Sequence, residues 1–346
     1  MDLGIAVILA QDGVINGAIY ALLGLAIVLV FSVTRVIMVP QGEFVTFGAL
    51  TLAMLQAGRI PGTLWLLLAA TLWVLGGLLI KLAIGKARFN SAYAADISKT
   101  IVPAIAALIL VFGFDAPRRG LPMQILTTMI LVVPLGSLLY RIVYAPLASS
   151  SILVLLIVSV AVHLALESMG LLFFGAEGFR TPALFDFSVD LGGLFVPGGA
   201  MSVVVVAATL MVLLSVGLGA TIFGKALRAT ASNPVGARIV GIRPDRAGSI
   251  AFTIAAFVGV LCGLLIGPMT TIYYDGGFLI ALKGFVSAII GALSSYPLTV
   301  IGAISIGFCE SIASFYASAF KDAIVFALTL PILLWLSFKI PHREEG

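Results

Sequence analysis

Charge is scarce in this sequence, and so are histidine and cysteine. Lysine, arginine, aspartate and glutamate together make up 10% of the 346 residues, against roughly 25% in a typical soluble domain. With 61% hydrophobic residues the chain cannot clothe a water-facing surface, which excludes a soluble globular fold. With two histidines and two cysteines, no metal-spaced His cluster emerges, and His163 with Glu167 would supply only half of a metal site. Neither Cys262 nor Cys309 has a CxxC or Cys/His spacing, so both are expected to pack inside apolar segments. No Ser/His/Asp set or paired-carboxylate cleft emerges, so no catalytic residue is expected. The net charge of +4 gives no reason to expect nucleic acid as a partner, because in such a chain the position of the positive charges matters more than their sum.

What the sequence has in abundance is apolar runs near the ~20 residues that cross a hydrocarbon core. They fall at about 4–31, 43–57, 63–80, 100–114, 123–143, 151–174, 199–222, 247–272, 279–294, 298–318 and 321–339. The expected fold is an all-α polytopic membrane protein of about 10–11 transmembrane or partial helices, forming one domain over residues 1–346. The runs at 43–57, 100–114 and 279–294 are short enough to be half-helices or re-entrant pieces. The first run has no basic n-region or small-residue cleavage site, so it reads as a retained helix. Gly259, Gly263 and Gly267, and likewise Gly13, Gly17 and Ala21, recur every four residues and predict smooth ridges for close helix packing.

Loop charge predicts orientation. Lys81, Lys86, Arg88 and Lys99 in one loop, and Lys225, Arg228, Arg238, Arg243 and Arg246 in another, belong on the cytoplasmic side. The stretch 175–198, with Glu177, Asp186 and Asp190 against Arg180, suits the outside. Eleven crossings then place the N-terminus outside and the C-terminal KIPHREEG inside, with Arg118 and Arg119 as the exception.

The stretch GKALRATASNPVGARIVGIRPDRAG, residues 224–248, concentrates this charge. Burying its six charges in lipid would cost roughly 15–20 kcal/mol, so they lie in water. The run from Gly219 to Lys225 nearly spells a phosphate-binding loop, but Ala226 stands where a magnesium-binding hydroxyl is needed and an apolar helix precedes it. The local signals instead predict two short helices. Asn233 suits an N-cap, Pro234 the first helical position and Gly241 the residue just past the end. Val235, Ile239 and Ile242 are spaced to share an apolar side.

At this point the chain resembles a known family, the LivH-like permeases of branched-chain amino-acid importers driven by ATP-binding-cassette ATPases. GKALRATASNPVGARIVGI is similar to their cytoplasmic coupling segment. The similarity extends through INGAIYALLGLAIVLVFSVTRVI, YAPLASSSILVLLIVSVAVHLAL, GGFLIALKGFVSAIIGALSSYPLTVIGAISIGFCES and KDAIVFALTLPILL. It implies a permease in a bacterial inner membrane, partnered by a second permease, homologous or identical, two cytoplasmic ATPases and a periplasmic solute-binding protein. ATP and magnesium would sit on the ATPases, with no cofactor on this chain. The resemblance carries over Arg228, Ala229, Asn233, Pro234, Ala237, Gly241 and Ile242 as coupling residues in a loop over 223–246. Two departures stand out. Where the family commonly reads Arg-Ile-Ile-Asn-Phe-Ala-His-Gly-Asp/Glu, this chain has Met38 and Gln41 in place of Asn and His. A segment at about 85–125 also looks like an insertion.

Membrane-depth polarity adds candidates for a translocation path or gate. Pro40 and Gly42 are expected to interrupt a helix beside Gln41 and Glu43, and Lys283 and Glu310 are ionisable groups within apolar runs and candidates for a buried pair. His163 and Glu167 share a helix face. With Glu310 they would serve as relay groups if the chain were instead an ion-coupled secondary transporter, the competing expectation.

Overall fold

The computed structural model of the protein describes residues 3–85, 90–182, 187–190, 195–327, 331 and 334. Lys86, Arg88, Asp186, the C-terminal KIPHREEG and most of the expected crossing at 321–339 lie outside them. The described part is helical apart from one antiparallel hairpin, Ser188–Asp190 paired with Phe195–Pro197.

The chain opens with α1 (Leu3–Thr34), breaks at Arg35, which adopts a left-handed φ of 59°, and resumes at α2 (Gln41–Gln56). Next come α3 (Thr63–Ala83), α4 (Ser91–Leu108), which runs into a π-helical turn at Ile109–Gly113, and α5 (Leu121–Leu139), which ends in a second π-helical turn at Tyr140–Tyr144. The remainder comprises α6 (Ile152–Phe174), α7 (Gly198–Ala220), the short α8 (Ile222–Ser232) and α9 (Pro234–Ile239), α10 (Pro244–Ile266), α11 (Gly276–Ile290) and α12 (Tyr296–Ala317). Eight helical segments among the described residues are long and apolar enough to cross a membrane. The exceptions are α2 and α11, together with the short α8 and α9.

Three boundaries differ from the sequence expectation, each for a local reason. α4 begins at Ser91 rather than near 100, because the Asn90 side chain accepts from the Tyr93 backbone N–H at 2.8 Å and caps polar turns that hydropathy does not register. α10 stops at Ile266, so Gly267 falls outside the helix, where its carbonyl accepts from Thr181 N at 3.1 Å. Gly42 does not interrupt α2. It lies in the first turn, and the break falls at residues 35–40, with the buried Pro40 just before the helix.

Small residues bring the helices together. Gly13 and Gly17 of α1 lie against Phe308 and Ile304 of α12, which fixes that pair as antiparallel. Gly48 of α2 meets Val260, and Gly263 of α10 meets Val45 and Ala49, so the expected ridge on α10 is the bed on which α2 rests. Without a hydrophobic driving force in lipid, such backbone approach supplies the packing attraction. α2 is enclosed along its length, with Gln41 to Leu55 all buried.

At 16 and 15 residues, α2 and α11 each extend roughly 22–24 Å at 1.5 Å per residue, less than the ~30 Å hydrocarbon core. Their N-termini abut. A Cβ on Gly42 would fall on the Gly277 carbonyl, and a Cβ on Gly277 on the Gly42 carbonyl and the Thr46 hydroxyl. Depth follows from α6: His163 lies eleven residues from each end of Ile152–Phe174, about 16 Å from either end. Its ring stacks on Phe278, with 4.5 Å between ring centroids. The two half-helices therefore begin near the middle of the bundle.

Candidate functional site

The charged 222–246 segment folds as the capping residues require. Thr221 Oγ1 accepts from Gly224 N at 3.0 Å to start α8, and Asn233 Oδ1 accepts from Gly236 N at 2.8 Å to start α9. Gly241 takes φ +85° just past α9, a conformation a side chain would strain. Leu227, Thr230 and Ala237 are buried and anchor the pair. The Arg228 guanidinium donates to the Gly219 carbonyl at 2.8 Å, so it closes the last turn of α7, where positive charge is favoured. Outward, Ile222, Val235, Ile239 and Val240 are 86, 69, 82 and 73% exposed. Ile242 is half-buried, with its backbone N–H bonded to Ala237 O at 2.9 Å. It is thus less exposed than Val235 and Ile239, with which its spacing grouped it.

The membrane-depth residues divide into two clusters. At the start of α2, Glu43 Oε1 lies 2.6 Å from His163 Nδ1, and His163 Nε2 is 3.7 Å from Glu167 Oε2. Gln41 Nε2 donates to the Ala255 carbonyl at 2.9 Å. Gln41 Oε1, Glu43 Oε2 and Thr46 Oγ1 are buried and make no hydrogen bond among the described residues. Each such group costs about 1–3 kcal/mol, a concentration of cost beside the seam between the half-helices.

The second cluster joins α1, α11 and α12. Lys283 Nζ is 2.5 Å from Glu310 Oε1 and 2.8 Å from Asp322 Oδ1, and the Tyr20 hydroxyl donates to the other Glu310 oxygen. Glu310 also borders a cavity of ≈ 370 Å³ that is lined further by Asp12, Asn16, Ser311, Ser314 and Lys321. The Lys283–Glu310 pairing expected from sequence is present. Tyr20, Asp322 and the link from Glu43 to His163 carried no sequence signal, because their partners lie far apart in the chain; only the i, i+4 pair His163–Glu167 was visible. Glu310 and His163 sit in different clusters, so the three groups of an ion relay are not assembled as one site. Among the described residues no group of three or more His, Cys, Asp and Glu forms a potential metal site.

Comparison with known proteins bears on what these clusters serve. A family model described as branched-chain amino acid transport system / permease component matches residues 9–333. The high-affinity branched-chain amino acid transport system permease protein LivH of Escherichia coli (strain K12) is 27% identical over 252 residues, covering 70% of this chain and 80% of its own. LivH of Salmonella typhimurium is 26% identical over 249 residues with the same coverage. The corresponding permease protein BraD of Pseudomonas aeruginosa is 24% identical over 307 residues, 85% of this chain and 96% of its own. No solved structure matches the chain significantly.

Proposed function

The chain belongs to the family of permease components of branched-chain amino acid transport systems, and from that premise we propose that it is the membrane-spanning subunit of an ATP-driven importer. Its solute is an amino acid or a related small polar or organic acid. The observation that carries the ATP coupling is the α8–α9 element. It is rigidly capped, anchored on α7, and presents four strongly exposed aliphatic side chains on a segment too charged to enter lipid. A free aqueous surface has no use for such a face, whereas a docking partner does. The partner is a cytoplasmic ATPase, with Ala229, Asn233, Pro234, Ala237, Gly241 and Ile242 holding the surface in shape and Arg228 tying it to α7. ATP and magnesium belong to that partner, so this chain performs no bond chemistry.

Two such permeases would form the path, fed from the outside by a solute-binding protein. On this chain the path follows the polar cavity beside Glu310 and the seam where α2 and α11 begin, with Pro40, Gln41, Gly42 and Glu43 on one side and Lys283 and Glu310 on the other. Half-helices that meet inside a membrane leave backbone groups available at that depth, and unpaired acceptors collect there. Purification from native membranes is the test. The wild-type chain should bring down an ATP-hydrolysing subunit, and Ile239→Asp should lose it while keeping its elution profile. Retention of the ATPase by that variant would overturn the assignment of α8–α9. Uptake by this chain alone in liposomes, driven by a pH or sodium gradient, would support the ion-coupled carrier instead.

A further inference from the structure

A second polar cavity, of ≈ 630 Å³, lies at the end of the bundle that carries α8 and α9. Its charged residues come from four segments. Lys81 comes from the last turn of α3, Asp96, Lys99 and Thr100 from the first half of α4, Arg141 from the π-helical turn after α5, and Asp245 and Arg246 from the first turn of α10. One of the four cations is already engaged: Arg141 reaches Asp96 at 3.8 Å and donates to Thr100 Oγ1 at 2.8 Å. The side chains of Lys81, Lys99 and Arg246 make no ion pair or hydrogen bond among the described residues, and Asp245 is the one remaining acid on the wall. The cavity thus holds an unneutralised positive charge.

Its lining also includes Pro103, Pro134, Leu138 and Ile250, interleaved with Ser137, Ser249 and Thr253. The helices that flank it, α3 and α4, carry exposed Ile80, Val102 and Ile105, a surface suited to acyl chains. A cationic cavity flanked by exposed aliphatic side chains suits an amphipathic ligand with an anionic head.

We propose that this cavity binds the phosphate-bearing headgroup of an anionic phospholipid, with Lys81, Lys99 and Arg246 as its cationic ligands. Basic pockets between membrane helices select such headgroups through charge-assisted hydrogen bonds to phosphate oxygens. Free phosphate shares the head chemistry but has nothing to lay on the aliphatic flanks. The position also gives the ligand leverage: Arg246 lies five residues after Gly241, so a headgroup shared between Lys99 and Arg246 ties α4 to the root of the α8–α9 element. The inference does not rest on the ATPase assignment, since it concerns this chain and lipid alone.

The test is native mass spectrometry of the full-length chain in detergent, titrated with phosphatidylglycerol, phosphatidylcholine or inorganic phosphate. Wild type should prefer phosphatidylglycerol over phosphatidylcholine on the order of tenfold or more, as expected for three basic groups near an anionic head. Combined Lys81→Gln, Lys99→Gln and Arg246→Gln should erase the preference, and combined Lys81→Arg, Lys99→Arg and Arg246→Lys should keep it, which separates charge from folding. Equal affinity for the two lipids in wild type, or a preference that survives the glutamine substitutions, would overturn the proposal. Displacement of the lipid by equimolar inorganic phosphate would overturn the lipid as the source and assign the cavity to a free anion.

Discussion

Replacing Lys283 with methionine removes the cation that pairs with Glu310 and Asp322, in a cluster that also holds the Tyr20 hydroxyl. Lys283 and Glu310 are 5 and 6% exposed, so water at the edge of the neighbouring cavity replaces only part of the solvation that the abandoned carboxylate loses. Breaking a buried pair by deleting one partner costs about 3–5 kcal/mol. With an unfolding entropy of about 2.1 cal/mol/K per residue, a chain of 346 residues should lose roughly 4–7 °C in Tm. The assay is thermal unfolding in detergent followed by size-exclusion fluorescence. Adding Glu310→Gln to Lys283→Met should recover most of the loss. Glutamine keeps an acceptor for Tyr20 and removes the buried charge, and Asp322, with its side chain 37% exposed, can turn to water. Uptake should stay impaired in this stable double variant if the pair lines the path. A Lys283→Met protein that melts within about 1 °C of wild type, or a double variant no better than the single one, would refute the reasoning.

Gly263→Leu drives a side chain into the Val45 carbonyl and the Ala49 N–H; overpacking of this kind costs about 1–3 kcal/mol or more, and the variant should lose its monodisperse elution peak. Asn233→Ala removes the α9 cap at a cost of about 1 kcal/mol. It should weaken ATPase co-purification with little change in Tm, and Asn233→Asp should restore it. Glu43→Gln keeps the shape but weakens the bond to His163, so Tm should fall by a few degrees, on the order of 1–2 kcal/mol, while solute uptake falls much further. Uptake that simply tracks Tm would make Glu43 a structural residue.

The α8–α9 element was legible because its determinants are local. Asn233, Pro234 and Gly241 each act within four residues of themselves, and the structure realises each as the sequence implies. The all-helical membrane fold was equally plain from apolar runs and sparse charge. The clusters were not, since Glu43 and His163 are 120 residues apart, Tyr20 and Glu310 are 290 apart, and no periodicity encodes such meetings. The cavity at Lys81, Lys99 and Arg246 escaped notice for a related reason. In sequence these cations read as topogenic loop charge, and only the fold shows that three of them face one space. Ile242 is half-buried, whereas Val235 and Ile239, with which its spacing grouped it, are strongly exposed.

The enclosure of α2 has a consequence for how the protein is made. Nearly every residue of α2 is covered by other helices, and it carries Gln41 and Glu43, so it is poorly suited to rest alone in lipid. Its bed on α10 and its abutment at Gly277 are encoded more than 200 residues later. At roughly 5–20 residues per second, synthesis leaves α2 waiting on the order of 10–40 s for the partners that enclose it. During biogenesis this short helix therefore needs shelter from the insertion machinery or from α1, and it locks into place only once the C-terminal half of the chain has emerged.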